Sequence, residues 1–228
     1  MRKKKYLFFI MAFAVLLLLG TSSAYAAGRS SNFKANGKKY VIKCNDDYGI
    51  FRLYQKTKSG EKCVAKSETE LEGLEYRFSY GKKIYFDGAD DDSLNILFSY
   101  TPGKSTIKKE KNNLYVAEHS GKYAIGYSDT SGDGSPDPMV IYNLKTKKVK
   151  KLGYGGGIHI VGKKVYYAVI NLDGNVMKIY RCNLDGSKKK LLKTVRDNGH
   201  SIYIPGNVTK NKVKYICMEC DKTRTVKF

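Results

Sequence analysis

The 228-residue chain has no tryptophan, four prolines, three histidines, and half as many acidic as basic residues, 21 Asp and Glu against 42 Lys and Arg. The missing tryptophan counts against an aromatic-lined sugar cleft. No stretch after residue 19 approaches the ~20 apolar residues that cross a bilayer. No long 3.6-residue apolar period follows either, which excludes a helical solenoid. There is no Gly-x-Ser-x-Gly nucleophile elbow. No second cysteine pair accompanies Cys217-Met-Glu-Cys220, so the spacing does not complete a four-cysteine zinc site. No nucleic-acid-binding motif is present, and the tyrosines fall at core-like positions, so a nucleic-acid partner is not expected.

What is present begins with a secretory signal. Arg2, Lys3, Lys4 and Lys5 form a cationic start, residues 6–19 are apolar, and Ala24-Tyr25-Ala26 is a small-residue cleavage site. Cleavage after Ala26 would leave residues 27–228 as one secreted domain, with no cysteine near its start for a lipid anchor. The segment holds four basic and no acidic residues, so its loss takes the formal net charge from +21 to +17. Few prolines, 19 tyrosines, 22 glycines and evenly spaced turn signals point to an all-β class.

The clearest stretch is 157–194, read as four strands. An apolar run over 158–161 turns at Gly162-Lys163-Lys164. The next strand, 165–171, has apolar residues on both faces, Val165, Tyr167 and Val169 alternating with Tyr166, Ala168 and Ile170, so it should be covered on both sides. Asp173-Gly174 and Asp185-Gly186 make the following turns, and Lys188, Lys189, Lys190 and Lys193 load the last strand with charge, as suits an exposed edge. Similar turn-strand units begin at Gly37, Gly81, Gly121 and, more loosely, Asn211. A period near 40–45 residues with four strands per unit predicts a five-bladed β-propeller of antiparallel blades at about 31–67, 74–111, 112–153, 157–194 and 200–228, the last incomplete. Gly155-Gly156-Gly157 reads as a connector between blades.

These units, with Gly-Lys-x-x-Tyr-Tyr, Asp-Gly and Asn-Leu-Asp-Gly-Ser followed by lysines best seen over 162–190, resemble secreted bacterial propellers of the TolB and prolyl-oligopeptidase N-terminal type. The resemblance implies the fold over the whole mature chain and little about activity.

The sharpest chemical signal is Asp129-Thr-Ser131-Gly-Asp133-Gly134-Ser135-Pro-Asp137. Oxygen-bearing residues at positions 1, 3, 5 and 9, a backbone carbonyl at Ser135 and glycine at 6 suit a hard cation, and three carboxylates brought together need a counter-ion. Position 12 is Val140, so this is no helical EF-hand. The loop between two strands resembles the calcium hairpins of integrin-type propeller repeats, which implies a structural Ca2+ held by Asp129, Ser131, Asp133, Ser135 and Asp137.

Charges sort by turn. Asp46, Asp47, Asp87, Asp90, Asp91, Asp92, Asp173, Glu219 and Asp221 fall at second turns, while the Gly-Lys-Lys turns and Lys56, Lys58, Lys104, Lys147 and Lys148 fall on the opposite side. A basic side in a secreted protein suggests an anionic polysaccharide or cell-wall polymer as partner, or a protein; the plainer reading is that these lysines keep edges and turns soluble. The reading is therefore a calcium-binding interaction module. Its rival is a carbohydrate-active or other hydrolase with its site in the central channel, drawing on Glu75, Glu118, His119, His159 or His200 on innermost strands. Of five cysteines in a secreted chain, at least one is free or paired between chains, and Cys217 and Cys220 are read as buried or locally paired.

Overall fold

The computed structural model describes residues 30–46, 49–90, 93–110, 114–128, 137–197 and 199–228. It is all-β, and the 18 strands among the described residues pair almost wholly with their neighbours in sequence. The first meander is β1 (Ser30–Ala35), β2 (Lys38–Lys43), β3 (Arg52–Thr57) and β4 (Gly60–Ser67). The second is β5 (Gly73–Tyr80), β6 (Lys83–Asp90), β7 (Ser93–Tyr100) and β8 (Thr106–Lys109). A short parallel pairing of β4 with β8, at Lys66↔Thr106 and Ser67↔Ile107, fuses these two into one eight-stranded sheet. The sheet curls into a nearly closed barrel, because its edge strands β1 and β5 also lie side by side. Phe33 of β1 stacks on Tyr76 of β5 at that seam, ring centroids 4.5 Å apart.

The second sheet has seven strands: β9 (Leu114–Ser120), β10 (Tyr123–Ser128), β11 (Pro138–Asn143), β12 (Val149–Val161), β13 (Lys164–Ile170), β14 (Val176–Asn183) and β15 (Lys190–Arg196). β12 serves two partners. Its first half pairs with β11 and its second half with β13, so Gly155, Gly156 and Gly157 lie within a strand rather than in a connector. A three-stranded sheet, β16 (Ile202–Tyr203), β17 (Lys212–Cys217) and β18 (Lys222–Lys227), ends the chain. Outer edges that separate blades would leave open are thus used for pairing, which satisfies backbone groups otherwise left to solvent.

The β1–β2, β5–β6, β9–β10 and β12–β13 hairpins each close on a two-residue turn. Gly81, Gly121 and Gly162 take the first central position with φ near +60°, and Asn36-Gly37 has positive φ at both. Such turns match the twist of the strands they join, which is why glycine recurs before lysine.

The core is layered between successive meanders. Tyr40, Ile42, Leu53, Leu74, Phe86 and Phe98 fill the barrel-like sheet. Phe78, Tyr85 and Leu97 meet Leu114, Val116, Val140 and Tyr142 in the next layer. In β13, Val165 and Tyr167 pack with Ile125, Ile141 and Leu152, whereas Tyr166 and Ala168 pack with Ile202, Ile204, Val213 and Tyr215. This strand is buried on both faces, as its doubled alternation requires.

Candidate functional site

Strands β5, β9 and β12 carry a repeated irregularity. Pairing of β5 with β6 skips a residue at Arg77, pairing of β9 with β10 skips one at Ala117, and pairing of β12 with β13 shifts between Gly156 and His159. These β-bulges stand at matching distances before the turn glycines Gly81, Gly121 and Gly162. A bulge bends its strand and re-aims a side chain. Arg77 is aimed at the next meander: its Nη2 donates to the Ala117 carbonyl at 2.7 Å, and the guanidinium lies 6.0 Å from the ring centroid of Tyr115. Gly126 faces the second bulge. A Cβ there would sit 1.8 Å from the Tyr115 carbonyl oxygen, so the approach of β9 to β10 needs a residue without one.

Arg77 also holds Asp87 of β6, Nε to Oδ2 at 3.3 Å. Asp87 is thus a strand residue directly opposite Glu75 of β5, not a turn residue. Its carboxyl is pushed up to about 6, first by burial; Glu75 adds to the rise and Arg77 opposes it. Asp87 Oδ1 is buried without a hydrogen-bond partner. Glu75 is exposed and lines a depression between the first two meanders, together with Ser30, Ser31, Ile42, Phe51 and Leu74. A carboxyl poised near neutrality beside a second carboxylate can exchange protons with a bound molecule.

The other channel candidates are drawn apart. Glu118 of β9 pairs with His159 Nδ1 of β12 through Oε1 and accepts the Ile160 N–H through Oε2 at 2.9 Å, so it ties two meanders together. His119 stacks on Phe78 with centroids 4.2 Å apart, and burial with the nearby Arg77 charge holds its imidazole below the ordinary value. His200 sits by Cys217, Nδ1 to Sγ 3.3 Å. The three histidines therefore form no common site.

Cys217 and Cys220 are joined in a disulfide across the β17–β18 turn, while Cys44, Cys63 and Cys182 are free. Burial pushes the Cys182 thiol up to about 11. His200, Cys217 and Cys220 bring their side-chain donor atoms within 4.8 Å of one another. Of the proposed calcium ligands only Asp137, half-buried, falls within the described residues; Asp129, Ser131, Asp133 and Ser135 lie outside them. β10 and β11 pair up to Tyr127↔Met139, so the strands bracketing that loop are in register.

On the first meander, the face turned away from the core carries Lys34, Lys39, Lys43, Arg52, Lys56 and Lys66. Among them stands one carboxylate, Glu61, 2.7 Å from Lys43 and 3.8 Å from Lys56. Lys147, by contrast, is turned inward onto Glu110.

Sequence reasoning missed Arg77 and Glu110. Arg77 had a signal, since it and Ala117 both stand four residues before a turn glycine. Among the described residues no helix is long and apolar enough to cross a membrane.

The geometry defines an all-β protein of layered antiparallel meanders with a polar cluster of Glu75, Arg77 and Asp87 on β5 and β6. No protein-family model matches the chain, and no curated protein matches it. Solved structures with some likeness include a candidate TolB of Agrobacterium tumefaciens, at 14% identity and TM-score 0.41 over 87% of this chain and 80% of that one. TolB of Acinetobacter baumannii is 13% identical with TM-score 0.37, covering 84% of this chain and 51% of its own. A GH43_1 enzyme of Xanthomonas citri complexed with xylose is 7% identical with TM-score 0.33, covering 90% and 87%. Similarity at this level assigns neither family nor activity.

Proposed function

We propose that the protein is a secreted, calcium-ordered binding module for an anionic cell-envelope polymer, built as a five-bladed β-propeller of the TolB type with an incomplete last blade. The observation that carries the binding role is the outward face of the first meander, where six cations stand against one carboxylate. Such a face attracts a polyanion more strongly than scattered lysines do, and the attraction falls with salt. The layering of apolar clusters between consecutive meanders supports the propeller reading. The Cys217–Cys220 disulfide is compatible with an oxidising compartment.

Calcium belongs to the same reading. Asp129, Ser131, Asp133, Ser135 and Asp137 would hold it between β10 and β11, where in-register strands bring the two ends of the loop together.

The test is binding of fluorescent polygalacturonate to the mature protein at low and moderate salt, beside a Lys39→Gln/Arg52→Gln/Lys56→Gln variant. Salt-sensitive binding that the variant loses supports the reading. Equal binding by both proteins at both salt levels sinks it.

A hydrolase reading is favoured by one observation, the raised carboxyl of Asp87 opposite Glu75 at the rim of a depression. It predicts release of reducing ends from a polysaccharide by the wild type and none by Asp87→Asn. Turnover surviving that substitution removes it.

A further inference from the structure

Cys217 and Cys220 close the turn of the β17–β18 hairpin, whose strands already pair at Cys217↔Lys222. A disulfide contributes most where it closes a long loop, and this one spans three residues of a chain the hairpin already holds together. Cross-linking therefore explains little of its presence. Its two sulfurs are unequal. Cys217 is fully buried, whereas Cys220 is partly exposed and follows Met218, itself exposed.

Each sulfur is met by donors. Cys217 Sγ lies 3.3 Å from His200 Nδ1 and 3.3 Å from the Cys220 backbone N–H. A disulfide sulfur carries no hydrogen, so the imidazole nitrogen is the donor. Cys220 Sγ accepts from Arg224 Nη2 at 3.7 Å, and Arg224 is in turn held by buried Asp197. Glu219, between the two cysteines, is occupied by the Ser201 N–H and hydroxyl at 2.7 and 2.8 Å. Asp221 follows Cys220 in the turn, and Lys222 stands opposite Cys217. Negative charge arising on either sulfur is thus met by a positioned donor, the condition that favours a thiolate leaving group.

We propose that Cys217–Cys220 is a thiol–disulfide exchange site that takes two electrons from a dithiol on a partner protein. One partner thiolate attacks the accessible Cys220 Sγ. The Cys217–Cys220 bond breaks, and the electron pair leaves on Cys217 Sγ, beside His200 and the Cys220 N–H. The partner's second thiolate then attacks its own sulfur in the mixed disulfide, releasing Cys220 as a thiolate beside Arg224. The partner ends as a disulfide and this protein as a dithiol. The two thiol protons of the partner balance the two thiolates formed here.

Dithiothreitol is the probe, used on the oxidised mature protein at pH 7, with trapping by iodoacetamide and mass analysis. The native protein should be reduced without unfolding. Arg224→Gln should slow the reaction roughly tenfold, with Arg224→Lys restoring part of the rate. In a Cys217→Ser variant, the pH profile of Cys220 alkylation should lie below the ordinary thiol value of about 8.5 and move towards it when Arg224→Gln is added. His200→Asn gives a second variant whose fold is checked by circular dichroism. Reduction that keeps pace only with urea-induced unfolding overturns the proposal and leaves a structural cross-link. A reduced protein that withholds Zn2+ from a chelating dye and does not exchange thiols also overturns it, in favour of an ion site.

Discussion

Lys147 places its Nζ 2.7 Å from Glu110 Oε2, joining the end of β8 to the turn between β11 and β12. Lys83 reaches the other oxygen of the same carboxylate at 3.2 Å. Glu110 is 8% exposed in its side chain while both lysines reach solvent. The second meander and the β11–β12 hairpin are thus linked through one buried acid.

Burial pushes the Glu110 carboxyl up, but hydrogen bonds from Lys147 and Ser99, with the charges of Lys147 and Lys83, outweigh it and leave the group below its ordinary value of 4.5. Its stabilisation is present above that value and is lost as pH falls through the lower folded value. Lys147→Met should cost about 1–2 kcal/mol at pH 7, since the acid keeps Lys83, Ser99 and Tyr142 as partners, and the deficit should shrink below pH 4. Urea unfolding at both pH values measures it. An equal deficit at the two would show that the pair contributes nothing electrostatic.

Asp87 has the opposite sign. Its folded value, about 6, lies above the unfolded 3.8, so the folded state binds the proton more tightly and loses stability as pH rises from about 4 to about 6. Asp87→Asn should remove that slope and raise stability at pH 7 by about 1–2 kcal/mol, less than the full shift because Arg77 loses its carboxylate partner. Denaturant midpoints from pH 4 to 7 for both proteins are the check, and an unchanged slope would rule Asp87 out as its source.

Gly126→Ala drives a methyl group into the Tyr115 carbonyl. The backbone of β9 must move, at a cost of about 3 kcal/mol. Gly37→Ala, where nothing lies within 4 Å, serves as the control for backbone strain alone. If the Gly126 variant melts no lower than the Gly37 variant, the close approach is not what selects glycine there.

Calcium should raise the melting temperature of the mature chain. For a dissociation constant of 10⁻⁴ to 10⁻³ M, 10 mM calcium is expected to add about 3–8 °C, and Asp133→Ala should abolish the gain. Differential scanning fluorimetry with chelator and with calcium decides this. A rise of equal size in the variant would assign the ion to another part of the molecule.

Parts of this structure were legible before any coordinates, for local reasons. Val165 and Tyr167 against Tyr166 and Ala168 announce two covered faces, and Asp173-Gly174 announces the hairpin between β13 and β14. The C-x-x-C spacing allowed local pairing, which the disulfide realises. The β4–β8 pairing was not legible, because it rests on two residue pairs between lysine-rich edge strands about 40 residues apart. Neither was the bridge from Glu118 to His159, since residues 41 apart meet only through the stacking of two meanders. A single-residue bulge leaves the alternation on either side intact, so Arg77 reads as one more strand residue. The glycine run in β12 reads as a break because strands seldom hold three. Its continuity follows from a change of partner within one strand.

The seam between β1 and β5 is closed by aromatic faces, Phe33 on Tyr76, with no ladder of backbone bonds across it. The eight-stranded sheet can therefore part along this line without breaking a single strand pairing. In hydrogen-exchange terms, amides of β1 that point towards β5 should lose their protons to solvent ahead of those pointing towards β2. The depression bordered by Glu75 lies at this same line, so whatever enters it meets the least protected edge of the barrel.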